Sequence, residues 1–139
     1  MLMVLTSCYS DDNNGIIIDT ANIQQISNTV KSGTWRITSF IDSGKNETSN
    51  FTGYSFSFND NSILTASNSS NTVNGTWSIT DDSSNSSNDV DFNIVFTSPN
   101  NFEELSEDWD IVSINNTKID LIDVSGGNGG TDTLTFEKN

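Results

Sequence analysis

The densest group of potentially reactive side chains in this sequence is a run of carboxylates, Glu103, Glu104, Glu107, Asp108 and Asp110. Carboxylate oxygens are ligands that Ca²⁺ prefers, so such a run could bind a hard cation. No twelve-residue loop of the EF-hand type accompanies it. We therefore expect these side chains to be solvated, and we predict no metal site and no cofactor.

A second calcium motif is suggested by the glycine-rich stretch that runs from Gly126 to Asp132. Calcium-binding glycine-rich repeats need several tandem copies and a fixed aspartate position. Here there is a single copy, in which Asp132 is displaced from the expected position. The stretch therefore indicates a plain flexible loop between two strands.

Asp108 and Asp110 could also form the carboxylate pair of a glycoside hydrolase. They are two residues apart, so on a strand their side chains share one face. If Trp109 between them points into the core, both aspartates point to solvent. We predict that they are not catalytic.

Nucleophilic catalysis is disfavoured by the absence of histidine, which is the commonest general base and metal ligand. A serine nucleophile needs an adjacent activating base, and no Ser-x-x-Lys motif is present. We predict that the protein is not an enzyme and has no catalytic residues.

The net charge of −14 comes from 19 acidic and 5 basic residues. Phosphate contacts need clustered Lys and Arg, so the charge argues against nucleic-acid binding. Attachment to an anionic membrane through a basic face is disfavoured for the same reason. The acidity is typical of a solvated, self-repelling secreted protein.

The one cysteine, Cys8, ends a segment, Leu5–Cys8, that resembles a bacterial lipobox. In a lipobox the cysteine is lipidated and becomes the mature N-terminus, so we interpret residues 1–8 as the truncated end of a signal peptide. Residues 9–19 are predicted to be a flexible acidic tether. Its Asp11-Asp12 pair resembles a surface-export signal, which favours a lipid anchor in the outer membrane and display at the cell surface.

Residues 20–39 contain a change of hydrophobic period. Ile23, Ile26 and Val30 share one face of a helix that is predicted over residues 20–31 and ended by Gly33. From Trp35 onward the period is two, as in strands. The predicted strands cover residues 35–41, 53–58, 64–66, 73–79, 90–96, 109–114, 118–123 and 131–137, with Trp35, Ile37, Ser39 and Ile41 on one face of the first.

Eight short strands with turns rich in Asn, Gly and Ser predict an all-β fold, an antiparallel up-and-down barrel over residues 20–139 with one short N-terminal helix. The inward positions are rich in aromatic residues, and these either pack as a core or line a cavity. If they line a cavity, the predicted ligand-binding residues are Trp35, Tyr54, Phe56, Trp77, Phe92 and Trp109.

Several segments together resemble the lipocalin-like lipoproteins of Bacteroidetes: Gly33–Trp35 after a helix, Tyr54–Phe58, Gly75–Ile79, Leu105–Val112 and Thr133–Lys138. The resemblance covers about residues 20–139 and implies a calycin-type barrel behind a lipid anchor. A Gly-x-Trp on the first strand is also typical of true lipocalins, where the tryptophan closes one end of the barrel. That role is implied for Trp35.

Two functions are compatible with these features. In the first, a lipid-anchored barrel binds a small hydrophobic or glycan-derived ligand. In the second, a filled barrel is a non-enzymatic surface module whose acidic loops meet a protein partner. In both, the protein is expected to be a monomer that contacts the membrane only through its anchor.

Lipidation is tested by the substitution Cys8→Ala in cells of the source bacterium. We expect the variant protein to leave the membrane fraction, because no other residue offers the thiol that carries the lipid. The measurement is membrane partitioning followed by immunoblotting, with Ser7→Ala as the control. Unchanged membrane partitioning of the Cys8→Ala variant would show that the lipobox interpretation is wrong.

Overall fold

The computed structural model describes residues 23–81, 90–124 and 130–139. The interpretations of Cys8, of the tether at 9–19 and of most of the glycine-rich stretch concern residues outside these ranges, and they stay predictions. Within the described ranges, no helix has both the length and the apolar character that crossing a membrane requires.

Nine strands, two short helices and one 3-10 turn make up the described fold. They are α1 (Ile23–Lys31), β1 (Trp35–Asp42), β2 (Lys45–Asn46), the 3-10 turn Thr48–Phe51, β3 (Ser55–Phe58), β4 (Ile63–Ser67), β5 (Thr72–Asp81), β6 (Val90–Val95), α2 (Asn100–Glu103), β7 (Glu107–Ile114), β8 (Lys118–Val124) and β9 (Thr131–Lys138). Each strand after β2 pairs antiparallel with the next one along the chain.

The sheet closes because β1 pairs with β9, from Trp35 opposite Lys138 to Asp42 opposite Asp132. This closure confirms the predicted eight-stranded antiparallel barrel, and β2 is an additional strand paired to β1. Closing a sheet in this way removes the free edges that invite aggregation.

The contact between β1 and β3 is short, with the single pair Trp35 opposite Phe56. Further along β1, the segment that contains the 3-10 turn forms hydrogen bonds with the backbone of Phe40. The Phe40 N–H donates to Thr48 Oγ1 at 2.9 Å, and the Phe40 carbonyl accepts from the Glu47 N–H at 2.9 Å. At Phe40, hydrogen bonds to the segment between β1 and β3 thus take the place of pairing between these two strands.

Helix α1 closes the barrel end at which β1 begins and β9 ends. Its side chains Ile26 and Val30 are fully buried, and Gly33 ends it in the left-handed conformation, with φ of 78°. The prediction of a short N-terminal helix packed on the barrel is therefore confirmed.

The predicted inner face of β1 is wrong beyond Ile37. A bulge between Ile37 and Ser39 shifts the alternation by one residue, so Phe40 is buried and Ile41 lies on the outer side. A β-bulge adds a residue to one strand only, which a strict period of two cannot anticipate.

The aromatic residues that the alternation assigned to the barrel interior do lie there. All are buried except Tyr54, which is half-buried and packs against the core. Alternation on a half-buried strand therefore located the core correctly outside the bulge.

Gly75 on β5 is required by the close approach of β6. A Cβ atom at this position would lie 2.3 Å from the Val95 carbonyl oxygen and 2.7 Å from the Phe96 ring. The first of these atoms belongs to the backbone of the paired strand, so the two strands would have to separate.

We predict that Gly75→Ala lowers the free energy of unfolding by about 1–3 kcal/mol, as overpacking does in other cores. The measurement is the midpoint of urea-induced unfolding. Thr76→Ala is the matched control, because Thr76 is the next residue and is exposed. Equal midpoints for the two variants would contradict the steric argument.

Candidate functional site

Six carboxylates surround one end of the barrel, which we call the acidic mouth: Asp42, Glu47, Glu104, Glu107, Asp123 and Asp132. They form two groups of three. In each group one carboxylate oxygen of every member lies within 4.8 Å of the others. The first group contains Asp42, Glu47 and Glu104, and the second contains Glu107, Asp123 and Asp132.

The register of the paired strands places the carboxylates of the acidic mouth next to one another. Asp132 on β9 lies directly opposite Asp42 on β1 and directly opposite Asp123 on β8. Each of these aspartates is two residues from a buried apolar residue, so it shares the inward face of its strand. Glu107 has the same relation to the buried Trp109 on β7.

Asp132 is the most buried carboxylate of the mouth, with 8% of its surface exposed. Its Oδ1 accepts a hydrogen bond of 2.9 Å from the Ser43 backbone N–H. This bond ties the turn after β1 to the first residues of β9. A buried charge needs such donors because its own hydration has been removed.

Protonation of the mouth is shifted by burial and by like charges. Burial, followed by the charges of Asp123 and Asp132, raises the pKa of Glu107 to about 7. Burial and then Asp132 raise the pKa of Asp42. Burial and then Glu47 raise the pKa of Glu104. The mouth therefore retains protons at pH values at which isolated carboxyl groups are ionised.

Lys45 is the one basic residue of the described ranges that lies at the mouth, and it pairs with Glu47 at 3.4 Å. Both partners lie at the first group of carboxylates, away from Glu107. Two arrangements relieve repulsion in such a group: a shared proton or a hard cation held by oxygen ligands.

The acidic run identified in the sequence is divided by the fold. Glu104 and Glu107 belong to the mouth, whereas Asp108 and Asp110 are exposed on either side of the buried Trp109. The prediction that the two aspartates point to solvent is confirmed. Glu103 is also exposed, and it ends α2.

Sequence reasoning missed Asp42, Glu47 and Asp123, and it considered Asp132 only as the displaced aspartate of the glycine-rich stretch. A signal for two of them was present, because Asp123 follows Leu121 and Asp132 precedes Leu134 by two residues, which continues the inward alternation. The bulge in β1 concealed the inward position of Asp42.

The six residues predicted to bind a ligand lie in or against the core, where several are already engaged. The three tryptophan N–H groups donate to backbone carbonyls: Trp35 to Val30, Trp77 to Asn59 and Trp109 to Leu105, at 2.9, 3.0 and 3.0 Å. The three indole N–H groups therefore already have hydrogen-bond acceptors within the protein.

Eleven aromatic rings form one connected network through the barrel, with most contacts edge to face and centroids 5.1–6.4 Å apart. Phe102 of α2 lies at its mouth end and contacts Phe51, Tyr54, Phe56 and Phe96. These rings occupy the space that an interior ligand would take.

A cleft of about 300 Å³ lies beside the mouth, between the end of β6 and the start of β7. It is open to solvent and is lined by Ile94, Val95, Ser106, Glu107 and Asp108. None of the six predicted ligand-binding residues lines this cleft.

The opposite end of the barrel carries four basic residues, Lys31, Arg36, Lys118 and Lys138. The Lys138 ammonium lies 4.5 Å from the centroid of the Trp35 ring, beneath α1, and donates to the Ser32 carbonyl. Trp35 therefore lies at the barrel end that α1 covers.

No protein-family model matches the chain, and the search of curated proteins finds no match. The resemblance to lipocalin-like lipoproteins thus depends on its motifs alone.

We predict that Phe102→Ala lowers the free energy of unfolding by about 3–5 kcal/mol, because it leaves a void among four rings. Glu103→Ala is the control, since Glu103 is the adjacent exposed residue. Urea unfolding monitored by tryptophan fluorescence measures both variants. If Phe102→Ala lowers the free energy of unfolding by less than about 1 kcal/mol, the argument that Phe102 fills the space among these rings is wrong, because the usual cost of such a truncation is far larger.

Proposed function

We propose that this protein is a rigid, filled, lipocalin-like barrel that serves as a non-enzymatic interaction module at the bacterial surface. In this proposal Cys8 carries a lipid anchor in the outer membrane. The acidic mouth faces a protein partner with positive charge.

The connected ring network is the observation that carries this proposal. A ligand of drug size needs a cavity of about 300 Å³ or more lined by apolar groups. In this barrel the rings that could line such a cavity contact one another instead. Entry of a ligand would require the core to separate, so the observation favours the filled module over the ligand-binding barrel.

The separation of charge between the two barrel ends supports a basic partner. The mouth and its surroundings carry eight acidic residues and one lysine: Asp42, Lys45, Glu47, Glu103, Glu104, Glu107, Asp108, Asp123 and Asp132. Fields of one sign raise the rate of association with partners of opposite charge.

The position of the N-terminal helix supports an outward-facing mouth. Ile23 begins α1, which packs at the end of the barrel opposite the mouth. A lipid at Cys8 would attach the chain on that side. The acidic mouth would then be directed away from the membrane surface.

Exposed aliphatic side chains on the outer surface also favour contact with another protein. Val124 and Val112 are 64% and 59% exposed. Ile41 of β1 and Ile122 of β8 are half-buried on the outer surface. They lie on either side of Thr133, which belongs to β9 between those two strands. The buried core of a protein interface is more apolar than the rest of the protein surface, so exposed aliphatic groups of this kind can contribute to one.

The proposal is tested by placing a photo-crosslinking amino acid at Ser49, which is exposed and lies close to Glu47. We expect a protein adduct in cells of the source bacterium. The same amino acid at Asn116, in the exposed turn at the opposite end, is expected to give none. Adducts are detected by immunoblotting and mass spectrometry.

Charge reversal provides a matched control in the Ser49 background. Glu104→Lys is expected to reduce the adduct, whereas Asp60→Lys, at the far end and 89% exposed, is expected to leave it unchanged. Equal yields from the two barrel ends would contradict the proposal. So would a small molecule that co-purifies with the protein in native mass spectrometry.

A further inference from the structure

The second carboxylate group of the mouth joins the ends of three neighbouring strands. Glu107 is the first residue of β7, Asp123 is the penultimate residue of β8 and Asp132 is the second residue of β9. One oxygen of each lies within 4.8 Å of the others, and after burial, which has the largest effect, Asp123 and Asp132 raise the pKa of Glu107. Two carboxyl groups can hydrogen-bond only if one of them carries a proton.

The charged groups that face Glu107 within the described ranges are predominantly acidic. They are Asp123 from β8, Asp132 from β9, Asp42 from β1 beyond Asp132, and Glu104 with Glu47 at the edge of the mouth. Lys45 pairs with Glu47. On the side of β6, the residue opposite Glu107 is Ile94, which is apolar. Among the residues that the structure describes, no basic side chain therefore neutralises this set.

Solvent can exchange protons with this group. Glu107 is half-buried, and it lines the open cleft at the end of β6. A proton released from its carboxyl group therefore passes directly to water. Asp132 is instead enclosed, and it accepts the Ser43 N–H through one oxygen.

We propose that the second carboxylate group is a pH-sensitive clasp that holds the mouth end of β7 to β8 and β9. Below neutral pH, the protonated Glu107 donates a hydrogen bond to Asp123 or Asp132. Near neutral pH the O–H bond breaks, the proton goes to water, and three like charges face one another. The start of β7 then separates from its neighbours, and the mouth loosens.

The direction of the pH effect follows from the raised pKa of Glu107, which is about 7 in the folded protein and near its ordinary value of 4.5 when unfolded. A folded group that holds its proton more tightly than the unfolded group stabilises the fold at low pH. This stabilisation is complete below about pH 4.5 and is lost as the pH rises to 7. Isolated carboxyl groups are already ionised above pH 5.5, so they add little in this range.

The experiment compares thermal unfolding of the full chain, its Glu107→Gln variant and its Asp108→Asn variant between pH 5.5 and 8. Ionic strength is held constant, and a chelator prevents a divalent cation from replacing the proton. For the unsubstituted protein we expect the midpoint to fall by about 5 °C as the pH rises. Glu107→Gln keeps a hydrogen-bond donor without titrating, so its midpoint is expected to fall clearly less over this pH range than that of the unsubstituted protein.

Asp108→Asn is the matched control, since Asp108 is the next residue of β7 but is exposed. Its midpoint should follow that of the unsubstituted protein. The clasp is refuted if Glu107→Gln and Asp108→Asn show the same pH dependence, or if the unsubstituted protein shows none.

A second measurement does not depend on folding of the variants. The carboxyl ¹³C resonances of Glu107, Asp123 and Asp132 are titrated in the unsubstituted protein, together with the Ser43 amide proton. We expect one carboxyl group of the three to titrate near neutral pH and the Ser43 resonance to follow it. Titration of all three below pH 5 would overturn the proposal.

The clasp does not depend on the proposed interaction with a basic partner. Both its readouts are made on the isolated protein. Failure of the crosslinking experiment would therefore leave the clasp intact, and failure of the pH experiments would leave the proposed function intact.

Discussion

Edge-to-face packing of aromatic rings inside a closed ring of eight strands is the interaction on which the rest of this structure depends. At eight strands the interior is just wide enough to be filled by side chains. Only about a third of the residues are hydrophobic, at 32% of the sequence. A few large rings, each burying ~150–250 Å², supply what many smaller residues would otherwise provide.

The same packing fixes the geometry of the mouth. Phe40, Leu121 and Leu134 lie two residues deeper in the barrel than Asp42, Asp123 and Asp132. Because these apolar side chains are buried, the carboxylates above them are held at one level and cannot turn outward together. The core thus maintains a concentration of like charge that isolated strands would disperse.

The two ends of the barrel are closed by different elements. At one end α1 covers the interior, and Lys138 lies over Trp35. At the other end Phe102 and Phe51 fill the opening, and carboxylates surround them. A barrel that is closed at both ends presents its chemistry on the outside, which is consistent with an interaction module and with a role for protonation at the mouth.

The sequence by itself determined the strand order, the N-terminal helix and the burial of most rings. The reason is that alternation with a period of two is a local property, as in Tyr54–Phe58, where every second residue is aromatic. Absence of histidine and the charge of −14 likewise needed no fold to limit the chemistry.

Only the tertiary structure decided which carboxylates meet. Asp42 and Asp132 are ninety positions apart, and closure between the first and last strands places them opposite each other. The bulge after Ile37 then turns Phe40 and Asp42 inward, which a strict alternation had assigned to the other face. Whether the rings line a cavity or fill it was also undecided in the sequence, because that outcome depends on packing between strands rather than on the pattern within any one of them.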